Sequence, residues 1–178
     1  MKIIKTKLEG VVIVKTTQFK DQRGWFTESF NQKMFKFLKI KFFVQDNISY
    51  SRKIYTFRGL HFQNKPYQQS KLIRVDKGAI LDFVLDLRSN SKTYLQLIVI
   101  KLDDQNNKQL FISKGLAHGF LTLKSNTKVF YKVDQYYSKK HDQGFNILDP
   151  KFKITGFDKA KFHLSVKDKK LPFLHETN

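Results

Sequence analysis

In the run "AILDFVLDLR", residues 79 to 88, the odd positions Ala79, Leu81, Phe83, Leu85 and Leu87 are all apolar, while Asp82, Asp86 and Arg88 fall on even positions. A period of two is the signature of a β-strand with two chemically different faces, and no helix can bury such a set on one side. Comparable runs, rich in β-branched and aromatic residues, recur at short intervals: "GVVIVKTTQF", "FFVQDNISYS", "IYTFRGLHFQ", "KLIRVDKGAILDFVLDL", "TYLQLIVIKL", "KQLFISKGLAHGFLTL" and "TKVFYKVDQYY". Between them lie turn-forming residues at Asp76-Lys77-Gly78, Ser89-Asn90-Ser91, 103–107 and Ser125-Asn126. Only "NQKMFKFLKI", residues 31 to 40, reads as a helix, with Asn31 placed to cap it. Many short strands and almost no helix imply an all-β, double-sheet jelly roll, whose interior can hold one small ligand.

The 178 residues suit a single domain, 1–178, with no linker or repeat to divide them. No long uncharged apolar run is present, and lysines interrupt the opening "MKIIKTKLEG", so neither a membrane span nor a secretory signal is expected. The absence of cysteine excludes a disulfide framework and a thiolate metal site. A cytoplasmic protein is expected. The net charge of +19 invites a nucleic-acid reading, but 29 of the 34 basic residues are lysines spread along the chain, with no recognition motif beside them. Such a field favours encounter with an anionic small molecule.

Four segments carry groups that suit chemistry. "RGLHFQ", residues 58 to 63, sets Arg58, Gly59, His61 and Gln63 in an otherwise apolar strand. Regular pleating would turn Arg58 away from His61, but a bulge or close backbone approach at Gly59 would bring both to one cavity. The segment alone fits a catalytic histidine and a core histidine bonded to a carbonyl equally well. "SKGLAHGF" places His118 between Gly115 and Gly119; "FKDQRGWFTESF" interleaves Arg23 and Glu28 with Trp25 and Phe30; "VFYKVDQYY" offers the phenols of Tyr131, Tyr136 and Tyr137. A metal-binding barrel would offer a His-x-His pair with a nearby glutamate, and position 63 is glutamine, so no metal is assigned.

In order along the chain, "FKDQRGWFTESF", "QDNISYS", "RGLHFQ", "PYQQSKLIRVDKGAILDFVLDLRSNSKTY", "LFISKGLAHGFLTL", "VFYKVDQYY", "GFNILDP" and "LSVKD" resemble the dTDP-4-dehydrorhamnose 3,5-epimerase family of cupin-fold enzymes. The resemblance implies a cupin-type jelly roll and a cofactor-free, metal-free epimerisation next to a ketone, in which a base, an enolate partner and an opposite-face acid surround the sugar. It assigns His61 as base, Asp168 as the carboxylate orienting it, Lys71 as the enolate's cationic partner and Tyr131 as the acid. Substrate contacts carried over are Arg23, Glu28, Gln45, Asn47, Arg58, His118, Tyr136, Asp142 and Lys167, with Tyr136 stacking on the nucleobase and Arg23 and Arg58 on the diphosphate. It further implies a homodimer in which Arg23 and Glu28 serve the neighbouring subunit's site; the scattered lysines and the lack of a long apolar run lead to the expectation of no nucleic-acid or membrane partner. The sequence departs from the family where Asp142 replaces a common glutamate, "ITGF" replaces a Trp-Pro element and "IYTF" precedes Arg58. Inversion at C3 or C5 alone, another nucleotide sugar, and a non-catalytic sugar-binding barrel all stay open at this point.

Overall fold

The computed structural model describes residues 1–174. Along the chain the strands are β1 (Lys2–Lys5), β2 (Val11–Lys15), β3 (Phe19–Asp21), β4 (Gly24–Phe26), β5 (Gln45–Ser51), β6 (Phe57–Gln63), β7 (Lys71–Lys77), β8 (Ala79–Asp86), β9 (Leu97–Asp103), β10 (Lys108–Ile112), β11 (Leu116–Thr122), β12 (Thr127–Val133) and β13 (Asp142–Gly144). A short helix, α1 (Val166–Lys169), follows. The strands form a six-stranded sheet ordered β1-β2-β10-β7-β12-β5 and a five-stranded sheet ordered β13-β6-β11-β8-β9, with β3 and β4 standing apart as a hairpin. This is the all-β, two-sheet architecture the strand pattern calls for.

The alternation in β8 decides what lies on each side of the five-stranded sheet. Its even positions Ile80 and Val84 join Ile73, Val75, Leu102, Leu110 and Val129 in the core between the sheets. Its odd positions Phe83 and Leu85 pack on the opposite face with Phe57, Leu121, Ile147, Phe152 and Phe162, under the C-terminal segments. Both faces are therefore buried, and the polar-bearing face points inward. Asp82, on that inward face, has no exposed surface. At ~25 cal/mol per Å² of apolar surface removed from water, the two layers supply the main drive for closing the sandwich.

The expected helix over residues 31 to 40 shrinks to one 3-10 turn, Lys36–Leu38. Asn31 does not cap it: the N-cap is Phe35, which makes no side-chain bond, and Oδ1 of Asn31 instead accepts from the amides of Lys33 and Met34 at 2.9 and 3.3 Å in a preceding turn. The turn ends at Lys39, which adopts a left-handed conformation with φ 55°. Phe35 and Leu38 are buried against Val14, Leu72 and Phe111 on the outer face of the six-stranded sheet. Docking these two side chains takes precedence over the helical repeat, which would also have turned Met34 and Phe37 into the same face.

Candidate active site

The mouth of the barrel opens between β6, β7, β11 and β12, and the local sequence of β6 shapes it. Gly59 has φ +119°, and a Cβ there would lie 2.5 Å from Cα of Gly119 and 2.7 Å from the carbonyl oxygen of His118. Only glycine fits so close to the neighbouring strand. The β6–β11 register shifts between His118 and Phe120, with His61 directly opposite His118. Arg58 and His61 consequently line one cavity of about 710 Å³, together with Lys71, His118, Tyr131 and Asp168. The close approach that "RGLHFQ" required is present.

Nε2 of His61 lies 2.7 Å from Oδ1 of Asp168. The carboxylate sits in α1, whose N-cap Ser165 accepts from the Asp168 amide at 3.0 Å. His61 keeps one side open to the cavity while Asp168 is buried, the arrangement of an imidazole held by a carboxylate and free to exchange a proton at its other nitrogen. Lys71, from β7 in the facing sheet, keeps partial exposure only as a cavity-lining residue. Desolvation pushes its ammonium down to about 8, against the pull of Asp82 and Asp142. Tyr131 reaches in from β12; burial raises its phenol above the usual range, with Arg58 opposing, so it stays protonated across neutral pH.

His118 is buried beside Asp82, with Nε2 3.0 Å from Oδ2. Oδ1 of Asp82 is equally near but lacks hydrogen-bond geometry, and it has no partner. Arg58 is fixed by donating from Nε to Oγ of Ser51 at 3.2 Å and from Nη2 to the carbonyl of Tyr50 at 2.9 Å. Its guanidinium is thus oriented at the cavity edge.

A second cavity of about 250 Å³ shares His61, Lys71, Tyr131 and Lys167 with the first and is walled by Gln45, Asn47, Gln69, Tyr137 and Asp142. Gln45 donates from Nε2 to Oδ1 of Asn47 at 2.8 Å. Asp142 accepts from the Tyr137 hydroxyl at 2.9 Å and pairs closely with Nζ of Lys167. Despite the desolvation it suffers, Lys167 is held above its usual range by Asp142.

His61, Lys71, Tyr131, Asp168, Arg58, His118, Gln45, Asn47, Asp142 and Lys167 are therefore brought together. Tyr136 is not. It is 61% exposed and lines neither cavity, and its carbonyl accepts from Gln63. The adjacent Tyr137 stands in the wall instead, because the chain leaves β12 at Val133 and strand alternation no longer sets which ring turns inward. Arg23 and Glu28 also lie outside both cavities. Arg23, with a side chain 90% exposed at the tip of the β3–β4 hairpin, pairs with Asp21, and Glu28 accepts from Asn31. Asp82 carries no site signal in the sequence beyond being one of two carboxylates, with Asp86, in a largely apolar strand. Among the described residues no group of three or more His, Cys, Asp or Glu is arranged to hold a metal ion.

Residues 5–176 match the family model described as dTDP-4-dehydrorhamnose 3,5-epimerase. A dTDP-4-dehydrorhamnose 3,5-epimerase of Escherichia coli K12 is 40% identical over 178 residues, covering 99% of this chain and 96% of that protein. Among solved structures, a dTDP-4-dehydrorhamnose 3,5-epimerase of Bacillus anthracis with TDP and PPi bound superposes with a TM-score of 0.92 at 45% identity, over 97% of this chain and 99% of that one. A dTDP-6-deoxy-D-glucose-3,5-epimerase of Legionella pneumophila in complex with dTDP-4-keto-L-rhamnose gives 0.92 at 34% identity, over 99% and 94%.

Proposed function

Because this chain belongs to the dTDP-4-dehydrorhamnose 3,5-epimerase family, we propose that the cavity lined by His61, Lys71 and Tyr131 carries out that family's reaction with those side chains as its working groups. The chain is an isomerase that inverts C3 and C5 of dTDP-4-dehydro-6-deoxyglucose, giving dTDP-4-dehydro-L-rhamnose in dTDP-rhamnose biosynthesis. Both carbons flank the C4 ketone, so each C–H can be removed as a proton with its electron pair passing to the carbonyl oxygen. No net oxidation or reduction occurs.

His61 is the base. Its bond to Asp168 fixes the ring and stabilises the imidazolium that forms when the proton arrives. Lys71 places a positive charge by the enolate oxygen in a desolvated setting, where the attraction is far stronger than in water. Tyr131, from the facing sheet, returns a proton to the opposite face, and its raised phenol is protonated at the start of each turnover. Arg58 takes the diphosphate, and Tyr137 in the second cavity, rather than Tyr136, takes the nucleobase. The observation that carries the reading is the convergence of an oriented imidazole, a desolvated ammonium and a protonated phenol on one cavity.

The protein works as one domain, 1–178, and as a homodimer. The β3–β4 hairpin supports the second point. It exposes Phe19, Trp25 and Phe26, at 61%, 58% and 69%, beside Arg23, a surface that a second copy would cover while receiving Arg23 and Glu28. Among the described residues no helix is long and apolar enough to cross a membrane. A soluble nucleotide-sugar substrate supports a cytoplasmic location.

The test is incubation with dTDP-4-dehydro-6-deoxyglucose in D₂O, following deuterium at C3 and C5 by NMR. Incorporation at both carbons with inversion, lost in His61→Asn, is expected. Incorporation at one carbon would reduce the activity to a mono-epimerase, and binding without any exchange would leave a sugar-binding barrel.

A further inference from the structure

Asp82 is the one buried carboxylate at the site that the reaction scheme leaves without a task. It projects from the inward face of β8 and has 0% exposure; both oxygens lie 3.0 Å from Nε2 of His118, but only Oδ2 has hydrogen-bond geometry and Oδ1 has no hydrogen-bond partner. An unpaired buried carboxylate oxygen is costly unless a charge nearby offsets it. The candidate cations are few. Lys167 is engaged with Asp142 and Arg58 with Ser51 and Tyr50, and the ammonium that acts on Asp82 is that of Lys71. The ionisable groups that share the two cavities with Lys71 include Asp142 from β13, His61 and Arg58 from β6, His118 from β11, Tyr131 from β12, Lys167 and Asp168 from α1 and Tyr137 from the loop after β12, with Asp82 from β8 also acting on it.

Burial pushes the Asp82 carboxyl up, opposed by His118 and Lys71, and pushes His118 down. A neutral His118 has one ring proton, and its place depends on Asp82. If the carboxylate is ionised, the proton sits on Nε2 and donates to Asp82, leaving Nδ1 with a lone pair. If the carboxyl is protonated, it donates to Nε2 and the ring proton moves to Nδ1. Lys71 needs a counter-charge in its desolvated position, and Asp82 supplies it only when ionised.

We propose, resting on the epimerase reading, that Asp82 is a positioning residue. Its ionised carboxylate accepts a hydrogen bond from the Nε2–H of neutral His118, so that Nδ1 accepts from a sugar hydroxyl, and it keeps the Lys71 ammonium charged beside the enolate. His118 and Lys71 touch the substrate, and Asp82 acts through them.

The experiment is ¹⁵N NMR of the full chain labelled in the histidine rings, with the His118 signals assigned by difference from His118→Asn, from pH 6 to 9. It is paired with pH–rate profiles of the wild type and Asp82→Asn. A neutral, Nε2-protonated His118 throughout is expected, and an Nδ1-protonated or cationic ring overturns the proposal. In Asp82→Asn the alkaline limb should move to lower pH by about one unit, so that kcat at the old limb falls about tenfold, with KM raised because the His118 contact is no longer fixed. A variant with reduced Tm but an unmoved pH profile marks a merely structural residue and overturns the proposal. If the variant does not fold, the wild-type tautomer decides. The tautomer is read without substrate, so failure of the epimerase reading, seen as no turnover by the wild type, is distinguishable and removes the catalytic role of Asp82 with it.

Discussion

His61 and His118 face each other across the β6–β11 pairing, and each is bonded through Nε2 to its own carboxylate, Asp168 at 2.7 Å and Asp82 at 3.0 Å. The two pairs differ in setting. His61 is open to the cavity and its carboxylate arrives from α1, 107 residues away, whereas His118 and Asp82 are both buried within one sheet. An imidazole that must gain and lose a proton needs the open position.

The first prediction concerns the open pair. Asp168→Asn keeps the shape of the partner but removes the charge that stabilises the imidazolium, and it permits the wrong tautomer at His61. We expect kcat to fall by about 10²–10⁴, with KM for the nucleotide sugar changed much less. Steady-state kinetics on the purified variant, with folding checked by circular dichroism, measures it. A loss below about threefold would show that the carboxylate does not work through His61.

Tyr131→Phe separates proton removal from proton return. Without the phenol, His61 can still abstract a proton and give back a solvent deuteron to the same face. The variant should incorporate deuterium from D₂O into the starting sugar while forming inverted product at a rate reduced by about 10²-fold or more. NMR of the recovered sugar distinguishes the two, and equal loss of exchange and inversion would mean that the phenol acts before the enolate forms.

The alkaline side of the pH profile tests the proposed role of Lys71. In that role its ammonium is the active form, and desolvation lowers it from the usual lysine range to about 8. Activity should therefore decline as pH rises through about 8, far below where an exposed lysine would lose its proton. Lys71→Arg, whose guanidinium stays charged, should remove that alkaline limb at the cost of a lower maximal rate. A wild-type plateau extending to pH 10 would contradict the assignment.

How much of this was readable from the chain depends on what each residue answers to. Strand period located β6, β7, β8, β11 and β12 because the two sheets are built by local alternation closing on a shared core. The same alternation could not say that both faces of β8 are buried, since the C-terminal segments that cover Phe83 and Leu85 come from far along the chain, and it left Asp82 without a role. The pairing of His61 with Asp168 is a tertiary fact with no spacing rule, and only the family resemblance brought it forward. That Tyr137 and not Tyr136 stands in the cavity wall is decided in a loop, where no period applies.

Gly59→Ala tests the geometry that admits both Arg58 and His61 to the cavity. The added Cβ meets backbone atoms of Gly119 and His118 inside 3 Å at a φ of +119°, and neither strand can retreat without breaking the sheet. Destabilisation of at least about 2 kcal/mol is expected, read as a lower midpoint in urea at unchanged slope. Gly24→Ala is a fitting control, because its surroundings are open and its φ of +132° adds backbone strain alone. If Gly59→Ala cost no more than Gly24→Ala, the close approach of β6 to β11 would not be what holds the cavity in shape.

The hairpin residue Arg23 provides the test of a shared site. Within one chain it reaches neither cavity, and it is paired with Asp21 at 2.6 Å. If it completes the site of a second copy, Arg23→Ala should raise KM for the nucleotide sugar through loss of a diphosphate contact, and His61→Asn should abolish turnover in the chain that carries it. Mixing the two variants under conditions that exchange subunits then has a definite outcome. In a mixed dimer, the intact His61 of the Arg23→Ala chain meets the intact Arg23 of the His61→Asn chain, so one of its two sites is whole. With random exchange, about a quarter of all sites should regain wild-type behaviour at low substrate. Recovery of that size establishes that the cavity is built from two copies. No recovery, with mixed dimers verified by mass, would confine the site to one chain and leave the exposed hairpin without a catalytic part.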